Sequence, residues 1–457
     1  MIIIKNGAEN AAKIIYKKQL SKIAQYRLSL NSYLFAENGR FLIKNTMTKE
    51  VIELTKREYS AIINIKESVE YSYVEENELI ELAKKRYLVE TDYDEVKQYQ
   101  QVVYLLKTMS GQKKGLGTYI ILPTTGCNAR CVYCYEEGYE VKTMSPETAD
   151  RLVDFICETR HDDKIKLHWF GGEPLANVKI IRQICTALKD RNVPYRSKMT
   201  TNASLMTKEL AHEAKELWHL EKVQVSLDGA KEDYTSRKNY YAPEKHNYDV
   251  VMKAIHYLAD EGIKLNLRVN VDFDNIERIP AFLQQIKTEF SDMRNISLYI
   301  AALYQVQQSE RCIELYKRVF EMNEIITLLG IPMSSESSTK TRLRLNSCMA
   351  DGMDKSIVIT PNGVFNNCEH LPEAHTWGNI FDGVTDQSKF DELSAAPKVD
   401  EKCAKCPFLP ECTPYYKNGC PGWFEKCYEY HCLKTEYAMH NLLKGGNSEA
   451  EDDDEEI

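Results

Sequence analysis

Four things are missing from this 457-residue chain. No run approaches eighteen consecutive apolar residues, so no membrane-spanning helix is expected. The opening segment MIIIKNGAENAAKIIYKK turns polar after a three-residue apolar run and so lacks the apolar stretch of a signal peptide; the expected location is the cytoplasm. Positive charge is not in excess. The 59 Lys and Arg face 68 Asp and Glu, a formal charge of −9, which argues against a generally basic nucleic-acid binder. Finally, no cysteine precedes Cys127.

What is present is an ordinary globular balance, 43% apolar and 28% charged, in a chain long enough for about three domains. The fourteen cysteines are unevenly spread. Three fall within eight residues, at Cys127, Cys131 and Cys134, and eight more lie between Cys348 and Cys432. In a long chain without an export signal, such clusters suit metal binding better than a disulfide framework. Cys157, Cys185 and Cys312 stand apart and read as small buried hydrophobes.

The first 25 residues read as a Lys-rich helix or arm. LSLNSYLF, then Asn38-Gly39, then RFLIKNT reads as a hairpin, with VIEL as a third strand. Helical periodicity follows in TKREYSAIINI and ENELIELAKKRYL, which completes a small α+β module by residue 95. Residues 93–115 read as a connector. Six strand-then-helix repeats come next, with strands expected at 118–123, 164–170, 195–201, 222–227, 264–273 and 296–303. Alternation of this kind implies an α/β fold with a parallel sheet, and six units suggest a partial (β/α)6 barrel. Chemistry should then gather at the strand C-terminal ends. Residues 341–445 are loop-rich and Cys-rich and close with a helix, LKTEYAMHNLLK. The tail 446–457 carries seven acids and is expected to be disordered. Four segments result: 1–95, 96–340 (barrel with connector), 341–445 and the tail.

Cys127, Cys131 and Cys134 follow the first barrel strand with CX3CX2C spacing. Three thiolates on a tight loop can hold three corners of a 4Fe–4S cube and leave the fourth iron open; a zinc site is the plainer alternative. The loop CNARCVYC resembles the signature of radical S-adenosylmethionine (SAM) enzymes, with Tyr133 at the aromatic position. Further residues match that family in order. Gly171-Gly172-Glu173-Pro174 resembles its GGEP loop, which meets the methionyl amine of SAM. Thr201 and Asn202 end the third strand, Ser226 and Asp228 lie in an SxDG segment ending the fourth, and Arg237 follows it. Arg268 and Asn270 on the fifth strand face the same cavity or are structural strand polars. The resemblance implies a 4Fe–4S cluster whose open iron chelates SAM. One electron into the sulfonium then yields methionine and a 5′-deoxyadenosyl radical. An external donor such as flavodoxin or ferredoxin would supply that electron.

The second cysteine field resembles the SPASM extension of peptide-modifying members, which houses two auxiliary 4Fe–4S clusters. CX14GX4C (Cys348 to Cys368) and CX2CX5C (Cys403, Cys406, Cys412) match its pattern. Seven residues rather than three then precede Cys420. The resemblance assigns Cys348, Cys368 and Cys420 to the first auxiliary cluster and Cys403, Cys406, Cys412 and Cys432 to the second. Cys427 completes the first or replaces Cys432 in the second. A zinc ribbon is the alternative for the CX2C pair. Glu369, directly after Cys368, resembles the proton acceptor of some relatives or is a solvated loop acid.

The module before residue 95 resembles the winged-helix-like peptide-recognition domain of maturases of ribosomally made peptides, which binds a leader by strand addition. The implied enzyme abstracts hydrogen from a ribosomally synthesised precursor peptide and installs an oxidative cross-link, with a Cys thioether favoured. Carbon–carbon or carbon–oxygen cross-linking, epimerisation, residue excision and sulfatase maturation are the alternatives, and a zinc-binding scaffold is the non-enzymatic one. No nucleic-acid or membrane partner is expected.

Overall fold

The computed structural model describes residues 2–5, 14–110, 115–161, 164–290, 295–334, 356–366, 368–369, 376–394, 399–412 and 425–445. Cys348, Cys420 and the acidic tail lie outside them. The chain forms two compact units, one within Met1–Gln112 and Ala396–Ile457, the other within Lys113–Ser338 and Cys348–Ala395. The Cys-rich stretch expected as one segment, 341–445, is thus divided between the two units.

In the first unit a four-stranded antiparallel sheet has the order Ile2–Lys5, Val51–Leu54, Arg40–Asn45, Ser32–Glu37. The N-terminal arm therefore begins as an edge strand. The hairpin turns at Asn38 (φ 49°) and Gly39 (φ 77°), the two left-handed positions that a type I′ turn needs. Helix Lys56–Ile63 starts with a capping box, in which Thr55 and Glu58 satisfy each other's backbone N–H groups. One sheet face packs Ile43 and Ile52 against Ile62, Leu82 and Tyr87. On the other, Leu42 and Val51 meet Met439 and Leu442 of helix Cys427–Leu443. Gly445 ends that helix in the left-handed conformation, as a C-cap glycine should. The expected connector contains a helix, Glu95–Ser110, whose Tyr99 and Val102 pack with Met47 and Leu409.

The second unit holds the barrel. Its strands are β1 Thr118–Ile121, β2 Ile165–Trp169, β3 Tyr195–Thr201, β4 Leu220–Leu227, β5 Lys264–Val271, β6 Ile296–Ala302 and β7 Ser356–Ile359. They pair in parallel in the order β6-β5-β4-β3-β2-β1-β7, with Phe365–Asn366 antiparallel at the end. The six expected strands are all present. The seventh, β7, arises from the stretch read as loop-rich and lies beside β1. Outward residues such as Val223, Val225, Leu265 and Leu267 are fully buried under the helices. Their neighbours Gln224, Ser226, Asn266 and Arg268 point to the other face. Parallel strands are usually apolar on both faces. The strict alternation of β4 and β5 gives these two strands a polar inner face, whereas Ile120, Leu122, Val358 and Phe170 make an apolar cluster on β1, β7 and the end of β2. No helix among the described residues is long and apolar enough to cross a membrane. Cys185 and Cys312 are buried as expected, whereas Cys157 is half-buried and accepts a hydrogen bond from Arg191.

Candidate active site at the barrel mouth

The loop after β1 carries Cys127, Cys131 and Cys134, and the ends of the next strands are tied to it. The chain enters the loop alongside Gly171 and Gly172. A Cβ on Gly171 would sit 2.3 Å from the Thr124 carbonyl oxygen, and one on Gly172 2.5 Å from that of Thr125. Neither contact can be relieved by a side-chain rotation, so both positions require glycine. The close approach lets Gly172 N–H donate to Thr124 O (3.2 Å) and Glu173 N–H to Gly126 O (2.9 Å). On its far side the loop is held by the backbone of Arg237 and Asn239, which accept from Val132 and Arg130.

Glu173 is wholly buried. Its carboxylate accepts from Thr201 Oγ1 (2.6 Å), Asn202 N (2.8 Å) and Leu175 N (3.1 Å). Burial pushes this carboxyl up, and those hydrogen bonds oppose the shift. Pro174 opens the buried turn Pro174–Asn177 behind it. Asn202 reaches across to Asn128 Oδ1 (2.9 Å) and donates to Cys127 Sγ at 3.8 Å.

A second network sits opposite. Tyr133 donates to the buried carboxylate of Asp228 (2.6 Å), which also accepts from Asn270 Nδ2 (3.1 Å). Lys238 lies 3.0 Å from Tyr133 Oη and 3.7 Å from Asp228. Burial alone would lower the Lys238 ammonium, but Asp228 and Tyr133 hold it protonated, well above its usual range. Asn275 ties the Asp228 and Asn270 carbonyls together. Arg268 donates to Asn270 Oδ1 (2.9 Å), and in the β4–β5 register it stands beside Ser226. Arg237 is different. Its guanidinium already forks onto Asp272 (3.1 and 2.8 Å). Only its buried Nε has no hydrogen bond. Lys238, Asp272 and Asn275 escaped the sequence reading; their one signal was polar residues clustered just beyond strand ends.

Among the described residues no three His, Cys, Asp or Glu side chains converge on a single metal ion. Three thiolates on one loop can each cap a different iron of a cube. Burial raises all three thiols, Cys127 to about 12, so they will ionise only against strong positive charge such as iron. N–H donors from Ala129 and Asn202 already point at Cys127 Sγ. The donor set and its surroundings fit a cluster.

In the first unit, Cys403, Cys406, Cys412, Cys427 and Cys432 share one neighbourhood. The Cys403 thiol is raised by burial and by Cys412, Cys427 and Cys406; that of Cys406 by burial and by Cys427 and Cys432. Neither Cys427 nor Cys432 is set apart. Asp400 caps the turn bearing Cys403 (2.7 Å to its N–H). Cys368 and Glu369 belong to the barrel unit. Glu369 is buried and lines the barrel cavity, so it is no solvated loop acid. Burial pushes its carboxyl up, and Lys198 opposes that.

Residues 121–286 match the Radical SAM superfamily. This segment is a radical SAM domain. That family uses a 4Fe–4S cluster and SAM, and the residues above fit both. Over 330 residues the chain is 27% identical to the antilisterial bacteriocin subtilosin biosynthesis protein AlbA of Bacillus subtilis, covering 65% of this chain and 66% of that one. The chain spans 40% to 66% of the length of three curated relatives it matches. Its fold resembles native anSMEcpe with bound AdoMet (TM-score 0.55, 18% identity, 72% of this chain and 98% of that one). It also resembles Streptococcus suis SuiB bound to precursor peptide SuiA (TM-score 0.52, 14% identity, 88% and 99%). In the radical SAM domain, Gly172→Ala is expected to force the Gly171–Glu173 backbone off the cysteine loop. SAM affinity should fall by about tenfold or more, read by equilibrium dialysis of the reconstituted protein.

Proposed function

We propose that the protein is a radical SAM peptide maturase that forms an oxidative cross-link in a ribosomally made precursor, with a Cys thioether as the bond. The observation that carries this reading is the thiol-rich neighbourhood Cys403–Cys432 accompanying a radical SAM domain, in a chain that aligns with a bacteriocin biosynthesis protein over most of its length. The precursor peptide in the SuiB structure supports a peptide substrate.

When bound, the reduced cluster and SAM supply a 5′-deoxyadenosyl radical that takes hydrogen from carbon. The chain's own residues do the rest. Gly171, Gly172, Glu173, Pro174, Thr201 and Asn202 shape the methionyl end of the SAM site. Ser226, Asp228, Asn270 and Arg268 line its opposite wall, and Tyr133, locked to Asp228 and Lys238, fixes the cysteine loop between them. Arg237, engaged by Asp272, positions its own helix and offers one N–H. Cys348, Cys368 and Cys420 would hold the first auxiliary cluster. Cys403, Cys406 and Cys412, with Cys427 or Cys432, would hold the second. The reducing electron comes from a flavodoxin- or ferredoxin-type donor. Glu369, at the cavity wall with its proton affinity raised, accepts the proton released in cross-linking; the electron released with it would pass to an auxiliary cluster held by the second cysteine field. Ser32–Glu37, which among the described residues is an edge strand of the N-terminal sheet, is a strand onto which a leader can add. Tethering the leader raises the local concentration of the core peptide, so a leaderless core should react about a hundredfold more slowly than the full precursor, measured as initial rate.

The test uses reduced enzyme, SAM and a Cys-containing precursor, with the product weighed. Loss of 2 Da together with protection from thiol alkylation supports the thioether. Loss of 2 Da with every thiol still alkylated overturns it in favour of a carbon–carbon or carbon–oxygen bond. Glu369→Gln should cut product formation by about 10²–10⁴-fold while 5′-deoxyadenosine is still released; parallel loss of both would remove the proton-acceptor role.

A further inference from the structure

The sulfur of Cys432 is held by groups to which the proposed function gives no part. Thiol proximity alone does not choose between Cys427 and Cys432, but two phenol hydroxyls converge on Cys432. Tyr428 and Cys432 stand four residues apart on helix Cys427–Leu443, so their side chains share one face. The Tyr428 hydroxyl donates to Cys432 Sγ, and this bond, ahead of burial, pushes the phenol up. Tyr33 reaches the same sulfur from strand Ser32–Glu37. Its single proton is contested. Glu436 Oε1, four residues further along the helix than Cys432, accepts it at 2.9 Å.

Phe408 fixes both phenol rings. It is wholly buried, and its ring centroid lies 5.4 Å from that of Tyr33 and 5.9 Å from that of Tyr428. Its own N–H donates to Cys406 Sγ. Three donors thus point at two sulfurs of one cysteine field. A neutral thiol is only a weak acceptor. Such donors suit thiolates that carry charge, as the ligands of an iron–sulfur cluster do. Reduction of a cluster places extra negative charge on its sulfurs, so a hydroxyl donated to one of them favours the reduced form. Hydrogen bonds to the sulfurs are among the levers that set a cluster's potential.

We propose that the Tyr428 and Tyr33 hydroxyls, donated to Cys432 Sγ, raise the reduction potential of the second auxiliary cluster, and that Glu436 weakens the Tyr33 contribution by competing for its proton. This rests on the reading in which Cys432 is a ligand of that cluster, and it deepens that reading. The cluster is tuned to take up the single electron released in cross-linking. Both tyrosines act through Cys432, as positioning residues.

Full-length protein is reconstituted anaerobically and titrated at controlled potential, with each cluster followed by electron paramagnetic resonance. The wave lost in Cys403→Ala belongs to the second auxiliary cluster. In Tyr428→Phe the reduced-to-oxidised ratio of that wave at fixed potential should fall about threefold, a midpoint about 28 mV lower at about 59 mV per tenfold. Tyr33→Phe should move it the same way by less, because Glu436 shares that proton. Glu436→Gln should raise it, and in that background Tyr33→Phe should cost the full threefold. A rise in Glu436→Gln that survives Tyr33→Phe is plain electrostatics and overturns the competition. The other waves, the iron content and the melting midpoint should not change, since Phe keeps the packing on Phe408. An unmoved midpoint in Tyr428→Phe, an equal shift of every wave, or loss of iron in the Phe variants overturns the proposal. Full iron content in both Cys403→Ala and Cys432→Ala would instead overturn the cluster reading on which it rests.

Discussion

Truncating Glu411 to alanine should lower the unfolding free energy by about 3–5 kcal/mol. Glu411 lies in the turn Leu409–Glu411, immediately before Cys412, and its side chain is almost wholly buried. Two ammonium groups meet it there, Lys44 at 2.5 Å and Lys49 at 2.9 Å, both also buried. Lys44 belongs to strand Arg40–Asn45 and Lys49 to the turn that follows it, so the triad fastens the thiol-bearing turn to the N-terminal sheet. Two cations against one anion leave an excess positive charge out of water. Burial accordingly brings Lys49 down to about 7 despite its carboxylate partner, while Lys49 and Lys44 together take Glu411 down to about 2 against its own burial. Removing the carboxylate strands both lysines in a dry site. At the usual ratio for a unit of this size, the melting midpoint should fall by roughly 6–20 °C. Replacing all three by apolar residues (Lys44→Met, Lys49→Met, Glu411→Leu) should restore most of the loss, because the desolvation cost disappears with the charges. A Glu411→Ala midpoint within a degree of the wild type would show that the triad anchors nothing.

Cys131→Ala should abolish SAM cleavage without unfolding the barrel. Cys131 is the middle thiol of the loop, and Cys134 N–H donates to its carbonyl within a turn that the backbone of Arg237 and Asn239 pins independently. The loop therefore keeps its path when one sulfur goes. Only the cluster loses a corner, and iron content should drop by about four per chain. Release of 5′-deoxyadenosine should fall to background. Cys157→Ala serves as the control: that thiol lies on helix Pro146–Thr159, away from the loop, and neither iron nor cleavage should change. If Cys131→Ala retained both, the loop would not be the cluster site.

The parts of the molecule that could be read in the sequence are those set by short-range chemistry. Asn38-Gly39 announced its turn because only left-handed conformers suit it. Cys127, Cys131 and Cys134 and the Gly171-Gly172 pair were visible because few residues can replace thiolates or tolerate a carbonyl at 2.3 Å. The barrel strands showed as regular alternation with helices. What stayed hidden depends on distant partners. The four residues Ser356–Ile359 form a strand only because β1, over two hundred residues earlier, offers its edge. Lys238 looks like the end of a polar surface helix until Asp228 and Tyr133 close over it. Lys44 and Glu411 are unremarkable charges in sequence and a buried pair in space.

The most direct measurement is the 5′-deoxyadenosine released when anaerobically reconstituted full-length protein is reduced with dithionite and given SAM. The account predicts release that depends on the reductant and disappears with any one of Cys127, Cys131 or Cys134. Protein that carries its clusters and binds SAM, yet releases none under reduction, would contradict it.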